Sequence, residues 1–115
     1  MPAFNFKTQF AEAVESGKKC QTIRPQRKRQ TVPGDVLFLY TGMRTKSCRL
    51  LKQTVCKSVH HILIAHLFVQ IDSRELSDSE LTELAISDGF DSTESFRQFF
   101  QQQYSLPVVA DLIKW

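Results

Sequence analysis

Cysteine is too sparse in this chain to hold it together. Its three cysteines, Cys20, Cys48 and Cys56, are odd in number and include no Cys-x-x-Cys pair. That argues against a disulfide framework and against a structural zinc site. Three reduced thiols are the expected state. Cys20 sits among cations, where a thiolate is favoured, although free cysteines more often serve as small buried hydrophobes. Long apolar runs are missing too: the longest, Ile62 to Val69, is broken by His66 and is too short to span a bilayer. The opening Met-Pro-Ala-Phe-Asn lacks the charged, then apolar, layout of a signal peptide. The expected location is therefore the cytoplasm, with no membrane partner. Repeats, low-complexity tracts and linkers are absent, so residues 1–115 are expected to form a single domain. A hydrophobic content of 42%, with nine phenylalanines, suffices for one core.

Acidic residues are almost absent from one half of the chain. Eleven Lys or Arg residues (Lys18, Lys19, Arg24, Arg27, Lys28, Arg29, Arg44, Lys46, Arg49, Lys52, Lys57) lie between Lys18 and Lys57 against Asp35 alone. Eight acidic residues fall between Asp72 and Glu94 with only Arg74 to offset them. The net charge of +3 thus hides a segregated field, and a basic lobe of this density suits an anionic partner such as a nucleotide or nucleic acid. Mutual neutralisation of acidic helix and basic loops across the fold is the plainer alternative.

Phe6, Phe10, Ala13 and Val14 recur at helical spacing ahead of Gly17, which predicts a helix over residues 5–16 with a left-handed stop. Cys20 to Arg24 reads as a short strand. Pro25 to Pro33, rich in Arg, Lys and Gln, reads as a loop that could act as a flap or stay idle. Val36 to Tyr40 is a strand, followed by a turn at Thr41-Gly42-Met43 that brings Arg44, Lys46 and Arg49 together. Arg49 to Lys57 and Val59 to Ile71 carry the residues of longer strands, with a helix open as an alternative for Val59 to Val69. Ser77-Asp78-Ser79-Glu80 caps a helix running to about Ile86, and Asp91-Ser92-Thr93-Glu94 predicts a second capping box before a helix holding Phe96, Phe99 and Phe100. Val108 to Trp115 closes as a strand. The pattern is an α+β domain on a curved sheet or small barrel with flanking helices.

The densest chemistry lies in Gly17-Lys18-Lys19-Cys20-Gln21-Thr22-Ile23-Arg24. A threonine hydroxyl becomes a nucleophile only when a neighbour takes its proton, and a lysine can do so only while neutral. Burial and a nearby cation both push a lysine toward neutrality, and Lys18 and Arg24 could supply that cation. An ordinary solvated basic turn is the competing reading.

With Gly17, Lys19, Thr22 and Arg24 in place, the segment resembles the signature of the ASCH domain, a PUA-like family whose pattern reads Gly, any residue, Lys, two residues, Thr or Glu, one residue, Arg. The resemblance extends to Pro33-Gly34-Asp35 at a strand start, to Ala85-Ile86-Ser87-Asp88-Gly89-Phe90 before a late helix, and to a terminal strand ending in Trp115. It implies a PUA-like fold. In the bacterial branch that removes the acetyl group from N4-acetylcytidine, a lysine, a threonine and a glutamate form the catalytic set. The resemblance implies Lys19 and Thr22 for the first two and puts Asp88 where glutamate is expected. Aspartate is one methylene shorter, and a shortfall of about 1 Å can cost on the order of a hundredfold in rate. The implied roles are Thr22 as nucleophile, Lys19 as base, Asp88 orienting or exchanging protons, and Arg24 or backbone amides steadying the oxyanion. A structural Lys19–Asp88 ion pair, or a simple Asp88-Gly89 turn, competes with that reading.

Two non-enzymatic classes stand beside it. In an RNA-binding module Arg27, Lys28, Arg29, Arg44, Lys46 and Arg49 would hold phosphates while Tyr40, beside Gly42, stacks a base. A partner-binding module would use the acidic stretch from Asp72 to Glu83. Neither a metal nor a cofactor is expected. Adjacent His60 and His61 point to opposite strand faces, and His60 and His66, which could share one, have no carboxylate close in sequence.

Overall fold

Alternation at the start of the chain overrides the helical spacing read there. In the computed structural model, which describes residues 2–115, Ala3–Phe6 forms strand β1 and the first helix, α1, spans only Thr8–Ser16. Phe4 and Phe6, two residues apart, both point into the core, a period that only a strand satisfies. Helix α1 buries Phe10, Ala11 and Val14, and Gly17 stops it at φ 86° as expected. The Lys19 amide then bonds back to the Ala13 carbonyl (2.9 Å), tying the next residues to the end of that helix.

The remaining strands are β2 (Gln21–Pro25), β3 (Val36–Thr41), β4 (Arg49–Val55), β5 (Ser58–Ile64), β6 (Val69–Ile71), β7 (Arg74–Glu75) and β8 (Val108–Lys114). They make two sheets. One is three-stranded, in the order β1-β3-β4, with β1 parallel to β3; the other runs β2-β8-β5-β6-β7. The stretch expected as a single strand from Val59 to Ile71 is folded back on itself as β5 and β6, which excludes the helical alternative. Strand β8 is central, paired with both β2 and β5, and its Ala110 to Ile113 are all buried. The described residues thus form an α+β fold of eight strands and three helices.

Helix α2 (Asp78–Ser87) starts with the expected capping box, Ser77 and Glu80 bonding each other's backbone amides. Helix α3 (Thr93–Tyr104) has a box one register later than expected, between Ser92 and Ser95 rather than Asp91 and Glu94. Its Phe96 and Phe100 enter the shared core beside Phe4, Leu37, Leu39, Ile62, Ile64 and Leu112. Among the described residues, no helix is long and apolar enough to cross a membrane.

Candidate functional site

Lys19, Thr22 and Asp88 are almost completely buried, at 3%, 4% and 3% exposure, in a chain whose other charged side chains mostly face solvent. Two local devices put them there. The end of α1 delivers Lys19 into the start of β2, where Thr22 and Arg24 share one strand face. Opposite them, α2 ends on Asp88 and Gly89 turns the chain at φ +95°. Glycine is required at that position twice over. An L side chain rarely adopts this φ, and a Cβ would lie 3.0 Å from the Phe10 ring and 3.4 Å from Lys19 Cδ. Gly89→Ala is therefore expected to cost about 1–3 kcal/mol, read from the urea midpoint, because the left-handed backbone is strained for alanine and the Phe10 ring must give way.

The Lys19 ammonium donates to the Asp88 backbone carbonyl (2.5 Å) and to its carboxylate Oδ1 (3.0 Å). Gln21 Nε2 donates to the same oxygen at 3.2 Å. The Phe10 and Phe6 rings lie 5.1 and 5.9 Å from the ammonium. The ion pair weighed against the catalytic reading is thus present, with the aspartate carboxylate within 3.0 Å of the lysine. Burial pushes the Lys19 amine below the ordinary lysine value, aided by Arg24 and opposed by Asp88. Burial likewise raises the Asp88 carboxyl, against the pull of Lys19, Gln21 and Arg24. Both shifts run toward the uncharged partners, the direction in which a lysine becomes available as a neutral base.

Thr22 is partnered differently from the expectation. Its Oγ1 accepts the Arg24 Nε–H at 2.8 Å, and among the described residues no hydrogen bond joins it to Lys19. Arg24 is itself fixed by a bond to the Asn5 carbonyl (2.6 Å) and by the Phe6 and Phe4 rings, 4.9 and 5.4 Å from the guanidinium carbon. A cation donating to a hydroxyl oxygen favours loss of that hydroxyl's proton and leaves the O–H free to point elsewhere. Lys18, the other cation considered for tuning Lys19, is exposed.

All four residues open onto one cavity of about 220 Å³. Phe6, Phe10, Phe90, Phe99 and Phe100 make its apolar wall, and Asn5, Lys7, Gln103 and Tyr104 add polar groups. Lys7 Nζ bonds Gln103 Oε1 (3.1 Å) and lies 5.2 Å from the Phe99 ring. A concavity with an aromatic wall and convergent polar groups has the form of a small-ligand site.

The other candidate residues lie elsewhere. Tyr40 is half-buried on the outer side of β3 and does not line the cavity. Arg27 is laid against β1, its guanidinium 4.2 Å from the Phe4 ring and bonded to the Ala3 carbonyl (2.9 Å). Arg27, Lys28 and Arg29 line a separate concavity with Pro2, Gln30 and Thr31, so the basic loop does not roof the Lys19 cavity; Lys7 and the end of α3 border it instead. Arg44 and Lys46 are exposed in the β3–β4 connection, while Arg49 is held by Glu15 (2.6 Å). His60 and His61 pair separately with Asp72 and Asp111, and among the described residues no group of three or more His, Cys, Asp or Glu could hold a metal.

Sequence reasoning missed Gln21, Asn5 and the aromatic wall. Gln21 stood inside the motif, two residues from Lys19, and that spacing was its signal. The phenylalanines carried none, since a ring lining a cavity and a ring in a core have the same periodicity. No protein-family model matches the chain, and neither curated proteins nor solved structures give a match.

Proposed function

We propose that the Lys19 cavity is the active site of an amidohydrolase that deacylates a single acylated nucleoside of the N4-acetylcytidine type, and that the chain is a PUA-like domain of the ASCH kind. The observation that carries this reading is the buried Lys19–Asp88 pair beside the Arg24-bonded hydroxyl of Thr22, at an aromatic-walled cavity. Burial of a full ion pair is a poor way to gain stability, because desolvation offsets much of the attraction. Placing it at a cavity next to a potential nucleophile is better explained by chemistry.

In the proposed reaction Thr22 Oγ1 attacks the acetyl carbonyl carbon. Its proton passes to neutral Lys19, directly or through one water, while Arg24 stabilises the developing negative charge. The amide C–N bond breaks, and the departing exocyclic amine takes the proton from Lys19. Water then attacks the acetyl-threonine, releasing acetate and restoring the hydroxyl. Asp88 holds Lys19 in place and can take up its proton. The phenylalanine wall supplies a surface on which a base can stack.

A free nucleoside is neutral, so its turnover should be nearly independent of ionic strength, whereas binding through several phosphates weakens steeply as salt rises. Following hydrolysis of N4-acetylcytidine chromatographically at low and high salt is the test. Turnover that varies less than about twofold supports the reading. Absence of turnover at both, with the protein folded, removes it.

A further inference from the structure

The shared end of strands β2, β8 and β5 gathers three lysines into a second concavity, of about 300 Å³, which has no residue in common with the Lys19 cavity. Lys114 stands between Gln21 and Ser58 in the register of the three strands, so these side chains share one face. Two backbone bonds draw in their neighbours: the Lys57 amide donates to the Lys114 carbonyl (2.8 Å), and the Trp115 amide donates to the Cys20 carbonyl (3.0 Å). Lys18, in the turn after α1, and Ser87, the last residue of α2, complete the lining. No acidic side chain takes part in it. The chain pairs other exposed cations, Arg49 with Glu15 and Arg74 with Glu80, yet among the described residues Lys18, Lys57 and Lys114 have no ion-pair partner. A second, independent observation falls on the same wall. Trp115 is only 6% exposed, and its indole Nε1–H is the one buried side-chain nitrogen or oxygen among the described residues that finds no hydrogen-bond partner. A buried donor without an acceptor is costly, and an anion supplies the acceptor.

We infer that this concavity binds the phosphate monoester group of a small molecule, with Lys18, Lys57 and Lys114 as its cations and the Ser58 and Ser87 hydroxyls and the Trp115 indole as further donors. Charge selects the monoester. A phosphate monoester carries about −1.5 to −2 at neutral pH, which three convergent ammonium groups can balance. A nucleic-acid backbone instead spreads single charges along a track, and these lysines meet at one point. Lysine acts toward phosphate as a point charge, so the three need no fixed fork geometry to hold it, and charge-assisted bonds of this kind are the strong ones. The site does not depend on the chemistry of the Lys19 cavity, so loss of either reading leaves the other intact.

Trp115 is the chain's only tryptophan, so its emission reports on the site directly. At fixed ionic strength, inorganic phosphate and methyl phosphate are expected to change that emission saturably, and chloride is not. Cys20 gives a second readout, since it is exposed in the same concavity, with exposed Cys48 as the control. Phosphate should slow the alkylation of Cys20 by iodoacetamide, followed by peptide mass spectrometry, and leave that of Cys48 unchanged. Lys57→Ala and Lys114→Ala change exposed side chains and are each expected to weaken binding about tenfold. Trp115→Phe, followed through Cys20, should weaken it severalfold. Circular dichroism melts separate a lost site from a lost fold. No saturable emission change together with no protection of Cys20, or wild-type affinity in both lysine variants, overturns the proposal. Equal affinity for dimethyl phosphate, a diester, assigns the site to a nucleic-acid backbone and overturns it too.

Discussion

Lys19→Met is expected to destabilise the protein by about 3–5 kcal/mol at neutral pH, because it leaves the Asp88 carboxylate buried without its cation. The motif alone suggests a variant that loses chemistry and keeps its fold. Burial at 3% exposure and an ion pair to an equally buried partner make that separation untenable. The loss should also depend on pH in a defined direction. Asp88 already has its carboxyl raised by burial, and removing Lys19 deletes the largest influence opposing that rise. The folded variant then holds a proton on Asp88 that the unfolded chain releases near the ordinary value of about 4. Stability is fully present below that pH and is lost as pH rises toward the folded-state value. Urea titrations at acidic and neutral pH check this: the deficit against wild type should shrink in acid. Lys19→Met combined with Asp88→Leu should recover much of the neutral-pH loss, since a well-packed apolar pair can replace a buried ion pair. An equally large deficit at both pH values would show that packing, and not the stranded carboxylate, carries the effect.

Thr22→Val should cut turnover of N4-acetylcytidine by on the order of a thousandfold or more, with a smaller cost to stability. Valine keeps the shape of threonine but removes the acceptor for the Arg24 Nε–H, which costs about 1–3 kcal/mol. The protein should therefore remain folded and inactive. Thr22→Ser retains the hydroxyl at the same reach and should keep a measurable fraction of activity. Rates normalised to the folded fraction distinguish loss of the nucleophile from loss of the fold. Activity retained by Thr22→Val would make a water molecule the nucleophile and reduce Thr22 to an anchor for Arg24.

Much of this site was legible because its residues are close in sequence or sit at helix ends. Gly17 and the run from Lys19 to Arg24 were marked by a stop signal followed by a change of period, and the Ser77 cap fixed where α2 begins and hence where Asp88 falls. What the sequence concealed depends on distant pairing. Ala3 to Phe6 becomes a strand because it pairs in parallel with Phe38 to Thr41, and no local pattern encodes a partner so far along the chain. The same pairing puts the Asn5 carbonyl where Arg24 can reach it, which turns that arginine toward Thr22. The basic loop was misplaced for a related reason: Arg27 packs on Phe4 and bonds Ala3, holding the loop beside β1 and away from the cavity. Tyr40, the stacking candidate at the end of a strand, is half-buried and belongs to a different surface from Lys19.

The most direct measurement is the chromatographic rate of cytidine and acetate release from N4-acetylcytidine by the purified wild-type protein, with Thr22→Val alongside. Stoichiometric release by the wild type, lost in the folded variant, is the expected result. No release above the uncatalysed rate, or equal release by both proteins, would contradict an acyl-transfer site built on Thr22, Lys19 and Asp88.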